Sequence, residues 1–479
     1  MNEQSKALWD LVERASKIVT DTTWKSDFEN LNRAPVNPYL MTPAKNLLQK
    51  LYDLRGKRIL TGQHEYLEAP YSYSDQVFTK TGKRPMVKGI ELGGISGQSD
   101  TLLATQRAGV VNAAKAWHDG GGVITATYHA VYPGTPSIWS NVQRATTQSE
   151  FDQIVTSGTD LYKALLRDID LVAASLKVLR NYGVPVLWRP YHEMNGGWFW
   201  WGNKNNFAAL WEIMYDRFVN LHALDNLIWV WCPNAKNQWC QPIKNFYVGY
   251  DRVDVLALDI YSKDFKQSHH DELAELSCGK LLAIGENGEL PTMSTLSTAQ
   301  NKYSWFLTWG KMLSENNSDA TIKTVYTDAY SFNRNEIVAG ENGLSGNYYS
   351  GVAFNELKGQ RRDAKIDFNW SNKVIITGLP IDNFSVRWTG ILVSKSTEQY
   401  KIITYSDDGA RVYINGALVV NKWTNGANWG SGLINLVKDV QYDITVEFYD
   451  ASAAAIMQLY WESATVTKEI IPETNLYIK

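Results

Sequence analysis

Two acids close apolar runs in this chain: Glu193 in Leu187-Trp188-Arg189-Pro190-Tyr191-His192-Glu193, and Glu286 in Ala283-Ile284-Gly285-Glu286-Asn287-Gly288. A bare carboxylate on a buried strand is expensive unless it is paired or put to use. The first run also delivers Arg189 and His192, breaks at Gly196-Gly197, and continues as Trp198-Phe199-Trp200-Trp201. Two facing carboxylates beside flat aromatic surfaces are the equipment of glycoside hydrolysis, in which one acid protonates the leaving oxygen while the other attacks or activates water. Glu286 has a second reading, as partner of Arg189 in a structural ion pair. The separation of the two acids is not written in the sequence.

The elements that must position these residues are short β-rich runs alternating with helical stretches. The runs cover residues 58–66, 86–94, 122–129, 184–193, 226–233, 253–261, 281–287 and 304–310. One long helix is expected over 149–182, where Leu165, Ile169, Val172, Leu176 and Leu179 keep a helical period until Gly183 stops it. This alternation predicts an α/β fold, a (β/α)8 TIM barrel over residues 1–336. A doubly wound open sheet is the alternative, but no glycine-rich phosphate loop opens a helix, and Gly120-Gly121-Gly122 precedes a strand instead. In a barrel the C-terminal strand ends form the working face, which collects Gln63-His64-Glu65, Glu91, Tyr128-His129, His192-Glu193, Asp259-Ile260-Tyr261, Glu286 and Trp309. Glu65 and Glu91 sit among other polar residues and read as supporting or rim groups. His129 and His192 lack a third convergent His or Cys, so no metal and no cofactor is expected.

Beyond Ile337 strands follow one another without helices, at 384–393, 400–406, 411–420, 443–449 and 456–461, with a final strand expected after Thr465. Asn415-Gly416 is a hairpin signal, since a two-residue type I′ turn needs positive φ at both positions. Residues 337–479 therefore read as an all-β sandwich, joined through the Gly- and Asn-rich segment 339–346.

The formal net charge is −3 and no basic block occurs, which argues against nucleic acid or an anionic membrane as partner. Nineteen Trp and 26 Tyr offer apolar faces with polar handles, suited to sugar rings. The start of the chain places Leu8, Leu11, Val12, Ala15, Ile18 and Val19 at helical spacing, which is not the pattern of a signal peptide. Cys232, Cys240 and Cys278 form no metal pattern; a Cys232–Cys240 bridge and free buried thiols are both open. A monomer is expected.

The stretch from Arg189 to Gly202 resembles the acid/base signature of glycoside hydrolase family 26, and Ile284-Gly285-Glu286 resembles its nucleophile strand. The likeness runs over roughly residues 40–335, with Gly62-Gln63-His64-Glu65 and Leu258-Asp259-Ile260-Tyr261 in the same style. It implies a secreted, retaining endo-β-1,4-mannanase acting on mannan, galactomannan or glucomannan, the family also containing enzymes for mixed-linkage glucan and xylan. On the matching positions the resemblance makes Glu193 the acid/base and Glu286 the nucleophile. His192 orders the acid and contacts the sugar, and Trp198 and Tyr261 border the subsite of ring distortion, with Tyr261 holding Glu286. His129 and Trp309 match sugar-binding positions, and Asp259, as a supporting group, and Arg189 are expected among the substrate-binding residues. Some members carry Arg after the Trp of strand eight, where this chain has Gly310-Lys311, so a grip on that distal sugar is not implied. The C-terminal part, through Phe384-Ser385-Val386-Arg387-Trp388-Thr389-Gly390 and Tyr405 to Gly416, resembles the PA-fourteen domain, a β-sandwich that binds carbohydrate in several relatives. Asp407-Asp408 has two readings: the calcium-holding pair of a subset of that family, or, as we favour, an Asx turn with Gly409 at positive φ.

Overall fold

The computed structural model describes residues 33–334 and 342–478, except 372 and 439. The helix expected near the start of the chain lies outside the described residues. Two compact units divide between Arg334 and Asn335, two residues before the boundary expected from the change in texture.

The first unit is built on a parallel sheet whose strands follow chain order: β1 (Gly62–His64), β2 (Val87–Glu91), β3 (Val123–Tyr128), β4 (Val186–Pro190), β5 (Leu227–Trp231), β6 (Val255–Ile260) and β7 (Leu281–Asn287). From β4 to β7 every residue is buried, as strands covered by helices outside and side chains inside must be. The eighth stave, expected as a continuous strand, pairs only through isolated parallel bridges. Trp305 and Thr308 meet Leu60 and Gln63 on one side, while Tyr303 and Thr308 meet Leu282 and Asn287 on the other. Backbone N–H groups of His64 and Trp309 donate to Thr308 O and Asn287 O at 2.8 and 2.9 Å, which closes the barrel. The fold is a (β/α)8 TIM barrel.

The helix expected over 149–182 is two helices, Gln148–Val155 and Asp160–Tyr182. Gly158 takes φ +92°, and the Thr159 hydroxyl caps the second helix by accepting from Tyr162 N at 3.0 Å. Gly183 ends it at φ +85°, as the sequence indicated.

The second unit is an antiparallel sandwich. Its strands are β8 (Leu344–Ser350), β9 (Glu356–Asp363), β10 (Asp367–Asn369), β11 (Phe384–Val393), β12 (Glu398–Asp407), β13 (Gly409–Ile414), β14 (Ala417–Lys422), β15 (Asn428–Leu436), β16 (Gln441–Asp450) and β17 (Ile456–Glu462). One sheet has the order β9-β8-β11-β16-β13-β14, and the other β10-β17-β12-β15. Trp388, Trp461, Tyr348 and Phe448 fill the space between them. Asn415 and Gly416 turn the β13–β14 hairpin at φ +48° and +78°. The single closing strand expected after Thr465 is instead two short ones on different sheets: Glu469–Ile470 pairs with β17, and Leu476–Tyr477 with β11. No helix among the described residues is long and apolar enough to cross a membrane.

Candidate active site

Glu286 is aimed by a break in the β6–β7 register: Ile284 pairs with Leu258, but Glu286 already pairs with Asp259. Gly285 is the extra residue of this bulge, a device that redirects a side chain. A Cβ there would lie 2.3 Å from Cys232 Sγ and 2.9 Å from Asp259 Oδ1, so only glycine fits. The redirected carboxylate then accepts on both oxygens, from the Arg189 guanidinium and from Tyr261 Oη, the latter at 2.5 Å. Arg189 is held in turn by Asp259 at 3.1 Å and Thr127 Oγ1 at 3.0 Å. Burial works against its charge, but Asp259 and Glu286 outweigh that and keep the guanidinium firmly protonated. Burial, reinforced by the Glu286 charge, pushes the Tyr261 phenol well above its usual range, so it remains a donor.

Glu193 is positioned differently. It lies three residues beyond β4, in the left-handed region at φ +55°, with Tyr191 also positive at +47°. Such conformations persist only where the surroundings enforce them. The Glu193 N–H donates to Cys232 O at 2.8 Å and its carbonyl accepts from Gly196 N at 2.9 Å. Trp198 folds back so that its Nε1 donates to Glu193 Oε2 at 2.5 Å. Gly196 permits this, because a Cβ there would stand 2.2 Å from the Trp198 ring. Burial, followed by the charges of Asp259 and Glu286, raises the Glu193 carboxyl well above the usual carboxylate range. Trp200 and Trp201 pack beneath, their Nε1 groups donating to Ala130 O and His192 O at 2.9 and 2.8 Å.

Oxygens of Glu193, Asp259 and Glu286 lie within 4.8 Å of one another, and His129, His192 and Glu286 form a second such group. Both groups include the carboxylate that Arg189 and Tyr261 already hold, so a cation would compete with the guanidinium there. Two acids with oxygens within 4.8 Å of each other, one with its carboxyl raised and the other gripped by two donors, suit double displacement.

Over this barrel, residues 36–336 match the profile described as Glycosyl hydrolase family 26. The chain belongs to that family. A mannan endo-1,4-beta-mannosidase of Thermothelomyces thermophilus is 34% identical over 64% of this chain and 64% of its own length. Mannan endo-1,4-beta-mannosidase B of a Piromyces species is 31% identical over 64% of this chain and 54% of its own length. The chain thus spans between 54% and 64% of these curated relatives. The solved structure of GH26A from a Muricauda species superposes with a TM-score of 0.60 at 38% identity, covering 63% of this chain and 99% of that one. Residues 340–475 match the PA14 domain.

In this family 26 barrel the remaining expected residues converge on the same mouth. The His129 ring lies 4.5 Å edge-on from His192 and 5.4 Å from Trp309, while Trp309 stacks on His64 at 4.1 Å. Burial and the nearby Arg189 charge hold His192 well below the ordinary imidazole range, hence neutral. Its Nε2 is 3.8 Å from Glu286. Arg189 and Asp259, expected among sugar-contacting residues, lie beneath the mouth and use their polar groups on each other, Thr127, Cys232 and Glu286; they hold Glu286. Glu91 supports His129, accepting from Nδ1 at 2.6 Å. Glu65 is not at the rim. It is buried at the start of helix Ser72–Thr81, accepting from Tyr73 N, Ser74 N and Lys88 Nζ at 2.9, 2.7 and 3.2 Å.

Two participants were missed from the sequence. Asn195 ties the Glu193 loop to its neighbour through Asn234 N and O and Gln241 O. Trp139, 5.5 Å from the His129 ring, adds an exposed indole beside the mouth. Neither has a local signature, since both act through loops brought together by the barrel. No disulfide joins Cys232, Cys240 and Cys278.

In the sandwich, the Asx turn expected at Asp407-Asp408 is absent. Asp408 accepts from the distant Gly426 N and Ala451 N at 2.6 and 2.7 Å, and Gly409 opens β13 without positive φ. Glycine is required there by close approach, because a Cβ would meet the Tyr449 ring at 2.1 Å. Nearby, burial and the charges of Asp382, Asp408 and Asp407 push Asp450 up to about 7.

Proposed function

We propose that this chain is a secreted, monomeric, retaining endo-β-1,4-mannanase whose barrel cuts mannan, galactomannan or glucomannan and whose β-sandwich is an accessory carbohydrate-binding domain. The observation that carries the chemistry is the pair Glu193/Glu286, with oxygens within 4.8 Å and opposite environments. Glu286 attacks the anomeric carbon as Glu193 gives its proton to the departing glycosidic oxygen, leaving a glycosyl ester on Glu286 and a Glu193 carboxylate. Esterification removes the Glu286 charge that helped raise the Glu193 carboxyl, so Glu193 becomes more acidic and the fitting base for the second step. It then takes a proton from water as the water oxygen displaces Glu286, and both acids return to their starting states.

The sugar identity is supported by the names of the relatives, and the sugar-facing surface by Trp198 at Glu193 and by the ring cluster of His129, His192 and Trp309. Neutral His192 can donate to a sugar hydroxyl without competing with Glu193 for the proton. Reducing-end assay and product sizing on galactomannan, glucomannan, lichenan and xylan test the reading. Internal cuts in the two mannans are expected, and preference for lichenan or xylan would move the assignment to another sugar with the same mechanism.

A further inference from the structure

Three tryptophans among the described residues are exposed, Trp139, Trp239 and Trp429. Two already have partners: Trp139 leans toward His129 and Phe199 at 5.5 and 6.1 Å, and Trp429 carries the Lys468 ammonium 3.7 Å over its ring. Trp239 is 70% exposed, and among the described residues no ring or cation stacks on it.

The backbone beneath this open indole is fixed. Trp239 N donates to Asn237 Oδ1 at 2.7 Å, and Cys240 N to Asn237 O at 3.4 Å, forming a tight turn after β5. The next residue but one is tied to the acid's own loop: Gln241 N donates to Asn195 O at 2.9 Å, and Asn195 Nδ2 to Gln241 O at 3.2 Å. Asn195 follows Glu193 by two positions.

The acid's side of the mouth is where the departing chain must lie, because Glu193 delivers its proton to that chain's oxygen. Trp198 touches Glu193 and so adjoins the cleaved bond. A second, fully open indole on the adjoining loop presents a flat apolar face, the surface on which the C–H face of a pyranose rests. We propose that Trp239 is a stacking platform for a sugar unit of the departing chain, beyond the two units that flank the cleaved bond.

The inference rests on the mannanase reading, and the test separates the two. Wild-type full chain, Trp239→Ala and Trp239→Phe are compared on mannohexaose and on an aryl β-mannobioside, whose leaving group contains no sugar. Trp239→Ala is expected to lower kcat/KM on mannohexaose about tenfold, chiefly through KM, while leaving the aryl substrate within about twofold. Trp239→Phe should recover most of the loss. An equal loss on both substrates, or none on mannohexaose, would overturn the platform while leaving the mannanase reading intact. A wild-type chain that cuts neither substrate would overturn the mannanase reading and the platform with it.

Discussion

The ends of β4 and β7 carry the same functional group by opposite means. Glu286 belongs to a strand paired on both sides, is turned by one bulge, and is gripped by a guanidinium and a phenol. Glu193 stands in a left-handed loop, with one indole donor and, among the described residues, no cation bonded to it. Both are buried, so solvent does not separate them. What separates them is the ownership of Arg189: Glu286 holds the guanidinium, while Glu193, without it, has its carboxyl raised by burial and by the charges of Asp259 and Glu286. A strand-end position makes an acid available, but the neighbouring cation decides which half of the chemistry it performs.

The most damaging way to break this contrast is Glu286→Ala. It removes the attacking oxygen and is expected to lower kcat on galactomannan by about 10⁴-fold or more, with an unchanged circular dichroism spectrum. Glu193→Ala should cost about 10²–10⁴-fold on galactomannan, the range general acids supply. The same variant should lose far less on an aryl mannoside with a good leaving group, which needs no proton; equal losses on both would contradict the acid role. Tyr261→Phe takes one donor from Glu286 and is expected to reduce kcat about 10–100-fold, read by steady-state kinetics at constant pH.

The smallest effect is one of stability. The Glu193 carboxyl is raised in the folded chain, so between the ordinary carboxylate range and its folded value the native state holds a proton that the unfolded chain releases. Its contribution is therefore most favourable in acid and declines as pH rises through that window. Glu193→Gln escapes this decline, so its melting temperature should gain on wild type from pH 4 toward neutrality, by thermal melts in matched buffers. A gain confined to acid would mean that Glu193 is charged in the native state. Activity should fall in the same alkaline direction as Glu193 loses its proton.

Much of this arrangement was legible because period and strand ends are local signals. Runs ending at Glu193 and Glu286, with helices between, were enough to place both acids on one face of a barrel. The details that differentiate them were not. Arg189 could be named as a partner of Glu286, but the bulge at Gly285 and the left-handed Glu193 depend on contacts with Asp259 and Cys232 from other strands. The break at Gly158-Thr159 was visible as turn chemistry, yet the apolar period of the following helix masked it. In the sandwich, β9 reads Glu-Leu-Lys-Gly-Gln-Arg-Arg-Asp and β15 contains Gly430 and Gly432, so neither shows a strand's composition. Gly432 is there because a Cβ would stand 1.8 Å from Val419 O, a constraint set by tertiary approach.

The central claim is that Glu286 forms a bond to the sugar while Glu193 only moves protons. Its most direct test is proton NMR of mannohexaose hydrolysis, followed from the first minutes, before the new reducing ends mutarotate. Double displacement predicts that the β anomer appears first and the α anomer grows in afterwards. Initial formation of the α anomer would mean that water attacks directly, and would contradict the account.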